Sequence, residues 1–202
     1  MKDAMSKNVR ATCLGDKNSS QVFTRGQQPR SSIARGLAMI SLSLAIPFAA
    51  MNAQAAPGDK PLVEKVRAST GRYRDVNVAM NEGWVPATPC VSGPNEGAMG
   101  VHFVLPSRID GVVNASEPEA LIYEPLPSGE LRLVGVEFIA IADAVGPNVP
   151  KLEGHLLNYV GAPNRYGLPA FYEMHVWAWQ NNPKGSFADW NTTVSCDAQP
   201  LD

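Results

Sequence analysis

Three histidines and one glutamate carry most of the chemical promise of this sequence. His102 lies in MGVHFVL (99–105), His155 in GHLLNYV (154–160) and His175 in YEMHVW (172–177), all apolar segments rich in β-formers. Side chains alternate between the two faces of a strand. Counted that way through Leu131–Ile141, Glu137 shares its face with Leu131, Leu133, Gly135, Ile139 and Ile141, and the other face (Arg132, Val134, Val136, Phe138) is also mostly apolar. A carboxylate so placed costs several kcal/mol unless it is paired, protonated or bound to a metal. It is therefore either a core glutamate paired with an arginine or a ligand or catalytic carboxylate.

Three imidazoles and a carboxylate form a donor set for one divalent ion, with zinc distances of ~2.0–2.2 Å. Residue types alone do not separate zinc from iron, manganese or copper. The expected ligands are His102, His155, His175 and Glu137, with Glu137 alternatively a catalytic base. Glu173, two residues before His175, would orient that ring by accepting its second N–H. The competing reading is three ordinary core histidines, each satisfied locally.

The stretch Tyr172–Asn191 is the densest in aromatic residues and holds three of the four tryptophans. Strand alternation puts Trp177 and Trp179 on the His175 face. With Tyr172 they could wall a pocket for a small apolar or aromatic ligand without any catalysis. Core packing is the alternative, and a structural envelope protein with no small-molecule site is a third. No G-x-S-x-G, P-loop, G-x-G-x-x-G or C-x-x-C occurs, and no serine stands in a telling context for a triad.

These side chains need elements to hold them. Pro61 suits a first helical turn, and Leu62, Val63 and Val66 give a short apolar stripe. Gly71 interrupts, and Tyr73, Val76 and Met80 resume helical spacing up to Gly83. One broken helix or two short ones are expected. After the Pro- and Gly-rich loop 86–97 the pattern turns to strands: 99–105, 119–123, 131–142 and 171–179, with EPLPSGE as a hairpin turn and 155–160 undecided. FADWNTTVSC would supply a last short strand. The fold class is α+β, an N-terminal helical segment followed by a mainly antiparallel β-sheet, and curling into a barrel would bring the three histidines together.

Residues 37–50 form an uncharged apolar run, preceded by Arg30 and Arg35 and followed by Ala53-Gln54-Ala55. This reads as a leader and signal peptide over 1–55, cut after Ala55, or as an uncleaved anchor. The mature single domain is then 56–202, secreted or periplasmic, with no further membrane association. It has ten Lys and Arg against seventeen Asp and Glu, a formal charge of −7. Such acidity argues against nucleic acid as a partner and leaves a small molecule; oligomeric state is left open. Cys90 and Cys196 remain after cleavage and can pair in an oxidising compartment, or stay separate thiols.

The donor set resembles the His/His/Glu/His site of cupin-type barrels in composition. It departs in spacing, because the histidines here are 53 and 20 residues apart, so no cupin activity is carried over. The phrase HVW-W--NP-G-F-DWN--V-C (175–196), with GAMGVHF and PEALIYEP upstream, is similar to one in secreted bacterial proteins to which no activity attaches. That resemblance implies export and assigns no role to any residue.

Overall fold

The structure, a computed structural model, describes residues 58–199. The leader and signal-peptide reading of 1–55 lies outside the described residues. Among the described residues, no helix is long and apolar enough to cross a membrane.

The helical segment is broken as its glycine predicts. Helix α1 (Lys60–Thr70) turns Leu62, Val63, Val66 and Thr70 inward. A 3-10 turn, Gly71–Arg74, follows, and α2 (Val76–Asn81) restarts with Asp75 as its N-cap, accepting the Asn77 N–H at 2.9 Å.

The strands are β1 (Val85–Pro86), β2 (Val91–Gly93), β3 (Gly97–Val104), β4 (Ala120–Pro125), β5 (Leu131–Ile141), β6 (Lys151–Leu152), β7 (His155–Leu156), β8 (Asn158–Val160) and β9 (Phe171–Val176). The main sheet runs β1-β3-β4-β5-β9-β8, with β2 also on β3, and every pair is antiparallel. The expected β4–β5 hairpin forms across Leu126–Glu130, where the Leu126 N–H reaches the Glu130 carbonyl at 2.9 Å. The path ends at β1 and β8 and does not close, so no barrel forms among the described residues. The segment 187–196 is no strand either; Asn191 makes one isolated bridge to Ala98.

One face of the sheet packs on the helices. Phe103, Leu121, Tyr123, Val136, Phe138, Met174 and Val176 meet Leu62, Val66 and Tyr73 there, and the Tyr123 hydroxyl donates to the Tyr73 carbonyl at 2.7 Å. The other face carries two smaller apolar clusters. Ala98, Ile122, Val134, Trp177 and Val194 form one. Ala120, Ile139 and Phe171 form the other, with Tyr166 and Leu168 of the 161–170 loop packed against it. The polar residues of interest lie on this second face.

Two bulges alter the alternation read from the sequence. Ile122 faces Gly135 but Tyr123 faces Leu133, so Val134 is an extra residue in β5. Leu131 and Leu133 therefore join the helix-side core, while Val134 turns to the face of Glu137. In β3, Gly100 at φ +102° sits beside the β2 irregularity. A Cβ there would lie 2.6 Å from the Tyr123 carbonyl oxygen, so its bareness serves the close approach of β4.

Candidate metal centre

Register brings the key residues together. Val104, Ala120, Glu137 and His175 form one row across β3, β4, β5 and β9, with Glu137 and His175 directly opposite one another. His102 sits two residues before Val104 on the same face. His102 stands opposite Ile122 and reaches across β4, so that Nε2 lies 3.4 Å from Glu137 Oε2. The His102 and His175 ring centroids are 5.8 Å apart, nearly perpendicular. One donor atom each from His102, Glu137 and His175 lies within 4.8 Å of the others, and all three residues are buried. Donors around a tetrahedral zinc ion lie ~3.3 Å apart, so modest side-chain adjustment suffices to hold one.

Glu173, His175 and Asp189 form a second group of donors within 4.8 Å, sharing His175 with the first. Ile139 stands opposite Glu173 in the register, which puts Glu173 on the same face. Asp189 arrives from the C-terminal return. The Asn182 amide donates to the Trp190 carbonyl at 3.0 Å, the Trp177 indole to the Ala188 carbonyl at 2.6 Å, and the Ala98 and Asn191 backbones bond each other at 3.1 Å. The Cys90–Cys196 disulfide pins the end of this return, as the cysteine count predicts.

The hydrogen bonding distinguishes the two imidazoles. His102 Nδ1 lies 3.2 Å from Thr88 Oγ1. With the proton on Nδ1, Thr88 accepts it and Nε2 turns its lone pair toward Glu137, the way ligating imidazoles are held. His175 is fully buried, and neither ring nitrogen has a hydrogen-bond partner; Glu173 Oε2 has none either. The expected Glu173–His175 hydrogen bond is therefore not made. Orphaned buried groups cost ~1–3 kcal/mol each, and native proteins rarely keep them without a use.

Electrostatics follow from burial. Burial pushes the His102 imidazole down to about 4, with the Gly100 carbonyl pulling the other way. Burial and then the nearby His102 push His175 down to about 3. Both rings are neutral, the form that ligates. Burial raises Glu137 well above the usual carboxylate range, and the hydrogen-bonded Glu173 carboxyl raises it further. Burial also raises Glu173, and the contact with Glu137 and the nearby Arg165 oppose this. The arginine-paired reading does not apply to Glu137. It describes Glu124, whose carboxylate meets Arg132 and accepts the Ser195 N–H at 3.0 Å.

Other expected residues fall elsewhere. His155 belongs to neither donor group. It lies on the separate β6–β7 ribbon, half-buried, with its ring edge-on to Phe187 at 4.5 Å. Tyr172, Trp177 and Trp179 do not wall one pocket. Tyr172 packs against Tyr159 on the helix side of the sheet, at 5.3 Å. Trp177 stacks beside His175 at 6.0 Å, inside the Ile122 cluster. Strand β9 ends at Val176, where the Ala178 N–H turns back to the Val176 carbonyl at 2.9 Å. That kink breaks the alternation and sends Trp179 to α1, where its indole donates to Thr70 Oγ1 at 3.2 Å. Asp189 and Thr88 were not legible as site residues: both lie in loops, where no periodicity marks a face.

Fold and site together define an α+β domain with an open antiparallel sheet and, on the face away from its helices, a two-histidine, three-carboxylate cluster that is buried except for half-buried Asp189. Comparison with protein-family models, with curated proteins and with solved structures returns no match in any of the three.

Proposed function

We propose that the chain is an exported small domain that holds one divalent metal ion between His102, His175 and Glu137 and uses it, as a metal-dependent enzyme, on a small molecule. The carrying observation is His175: fully buried, with both ring nitrogens orphaned and one of them within 4.8 Å of donor atoms from His102 and Glu137. Two histidines and a carboxylate suit zinc and non-haem iron alike, so the donor set leaves the metal open among zinc, iron, manganese and copper. Bound there, such an ion supplies Lewis acidity to a coordinated oxygen or water. Thr88 fixes the His102 ring, the Ile122 and Ile139 clusters keep the surroundings dry, and Glu173 and Asp189 stand ready to balance charge or take a proton. Export is supported by the disulfide.

Elemental analysis of untagged protein tests the reading. It expects close to one metal per chain, lost in His102→Ala, His175→Ala and Glu137→Gln and kept in His155→Ala. Metal content unaffected by His175→Ala would refute it. A second reading, a ligand pocket without catalysis, draws on the apolar cavity next to His102, and a metal-free chain with full thermal stability in chelator would favour it.

A further inference from the structure

Between β3, β5 and the 161–170 loop lies a cavity of about 110 Å³. Its walls are mostly apolar: Val104, Ile109, Ile139, Leu168 and Phe171. Of the polar side chains that line it, His102, Glu137 and Thr88 stand together at one end, and Tyr166 turns its hydroxyl to Met99 Sδ at 3.7 Å. His175, Glu173 and Asp189 do not line it. The donor cluster therefore forms one end of an apolar chamber and keeps its remaining carboxylates on the far side.

The loop that closes the chamber is built to hold its shape. The Asn164 side chain donates to the Gly161 and Leu168 carbonyls at 3.1 and 2.9 Å and accepts the Tyr166 and Leu168 N–H groups at 3.2 Å each. Four hydrogen bonds from one amide fix where Tyr166 and Leu168 sit.

From this we infer that the centre's substrate is a small ring, uncharged and largely apolar, bearing one oxygen donor directed at the His102–Glu137 end, as in a phenol. The inference rests on the metal reading above, since the oxygen's partner is the ion. Size sets the first limit: an engineered apolar cavity of ~150 Å³ takes up benzene, so a chamber of this order admits one six-membered ring and little more. Wall chemistry sets the second, because a charged group lodged against Val104, Ile139 and Phe171 would lose its hydration with nothing to replace it. The single polar end sets the third, leaving one place for a donor atom.

Titrations followed by fluorine NMR test this with two probes of nearly equal size, fluorobenzene and 4-fluorophenol. Zinc-loaded protein, with its metal content measured on the same sample, should bind both. Removing zinc should weaken 4-fluorophenol at least tenfold and leave fluorobenzene unchanged. Ile139→Trp and Val104→Phe fill the chamber from two different strands, and neither replaces a donor residue. Each should cut binding of both probes at least tenfold while zinc stays at one per chain, which also shows that the variant is folded. The inference is overturned by zinc-loaded protein that binds neither probe, by 4-fluorophenol indifferent to zinc, or by filled variants that bind like the parent. Those failures at full zinc content leave the metal reading standing. A chain that takes up no metal overturns both, and elemental analysis shows it before any ring is added.

Discussion

Replacing His175 by leucine should stabilise the metal-free protein and abolish its stabilisation by metal. The magnitude follows from the burial of the ring. His175 is 0 % exposed, and its two nitrogens, one donor and one acceptor, have no partner. At ~1–3 kcal/mol per orphaned group, the imidazole costs the metal-free fold about 2–6 kcal/mol. Leucine removes that cost and returns part of it through imperfect packing against Trp177, typically under ~1.5 kcal/mol. The net gain in chelator is therefore about 2 kcal/mol. In a described domain of this size that is worth roughly 5–8 °C in midpoint. Metal at 100 times its dissociation constant stabilises the parent by ~2.7 kcal/mol and the variant not at all. Thermal and urea unfolding at pH 7.5, with the disulfide intact, give both numbers. Working above the imidazole range keeps protonation of the unfolded-state histidine from contributing. A variant less stable than the parent in chelator, yet still stabilised by metal, would refute the reasoning: the ring would then be satisfied within the protein and the ion held elsewhere.

Gly100→Ala should cost about 3 kcal/mol or more in urea unfolding, because φ is +102° and the new Cβ would sit 2.6 Å from the Tyr123 carbonyl oxygen. Glu119 is buried, accepts the Ile139 N–H at 2.9 Å, and is raised by burial from 4.5 to about 8. The folded state thus keeps a proton that the unfolded state loses above 4.5, so this group's contribution is complete below 4.5 and disappears as pH rises to 8. Glu119→Gln keeps an acceptor without a charge, and its stability relative to the parent should climb between pH 6.5 and 8, at up to ~1.4 kcal/mol per pH unit; a flat difference would count against it. Reduction of Cys90–Cys196, which closes a separation of 106 residues, should lower stability by up to ~4.7 kcal/mol and weaken metal binding by releasing the return that carries Asp189. Unchanged metal affinity after reduction would separate Asp189 from the centre.

What was legible in the sequence is what depends on local rules. Pro61 and Gly71 punctuate the helices, Gly129 closes the β4–β5 hairpin, and Cys90 and Cys196 pair as expected. Glu137 was legible too, since its apolar surroundings on both sides survive the bulge at Val134. What failed depends on where parity is interrupted. Leu131 and Leu133 change face because one extra residue enters β5, and Trp179 changes face because the chain kinks after Val176. His155 looked equivalent to the other histidines because GHLLNYV is as apolar as their segments. Yet β7 pairs only with β6, outside the main sheet, and no local pattern encodes which sheet a two-residue strand joins. Asp189 was missed for the opposite reason. It reaches the centre through side-chain bonds of Asn182 and Trp177 and the backbone pairing of Asn191 with Ala98, which become visible only once the return is folded.

Two buried glutamates on adjacent strands show why a cation is the consistent occupant of this cluster. Glu124 is met by Arg132 and a backbone N–H, so it can be ionised in place. Glu137 faces His102, His175 and another carboxyl, and Asp189 adds a third acid beside them. Arg165 draws Glu173 toward ionisation, but among the described residues no salt bridge joins the two. The two buried glutamates cannot both be ionised beside half-buried Asp189 and two neutral imidazoles without a compensating positive charge. Protons supply it at the cost of leaving the His175 nitrogens orphaned. A divalent ion supplies it while taking up lone pairs from both rings, and it does so beside the end of the apolar chamber where His102, Glu137 and Thr88 stand.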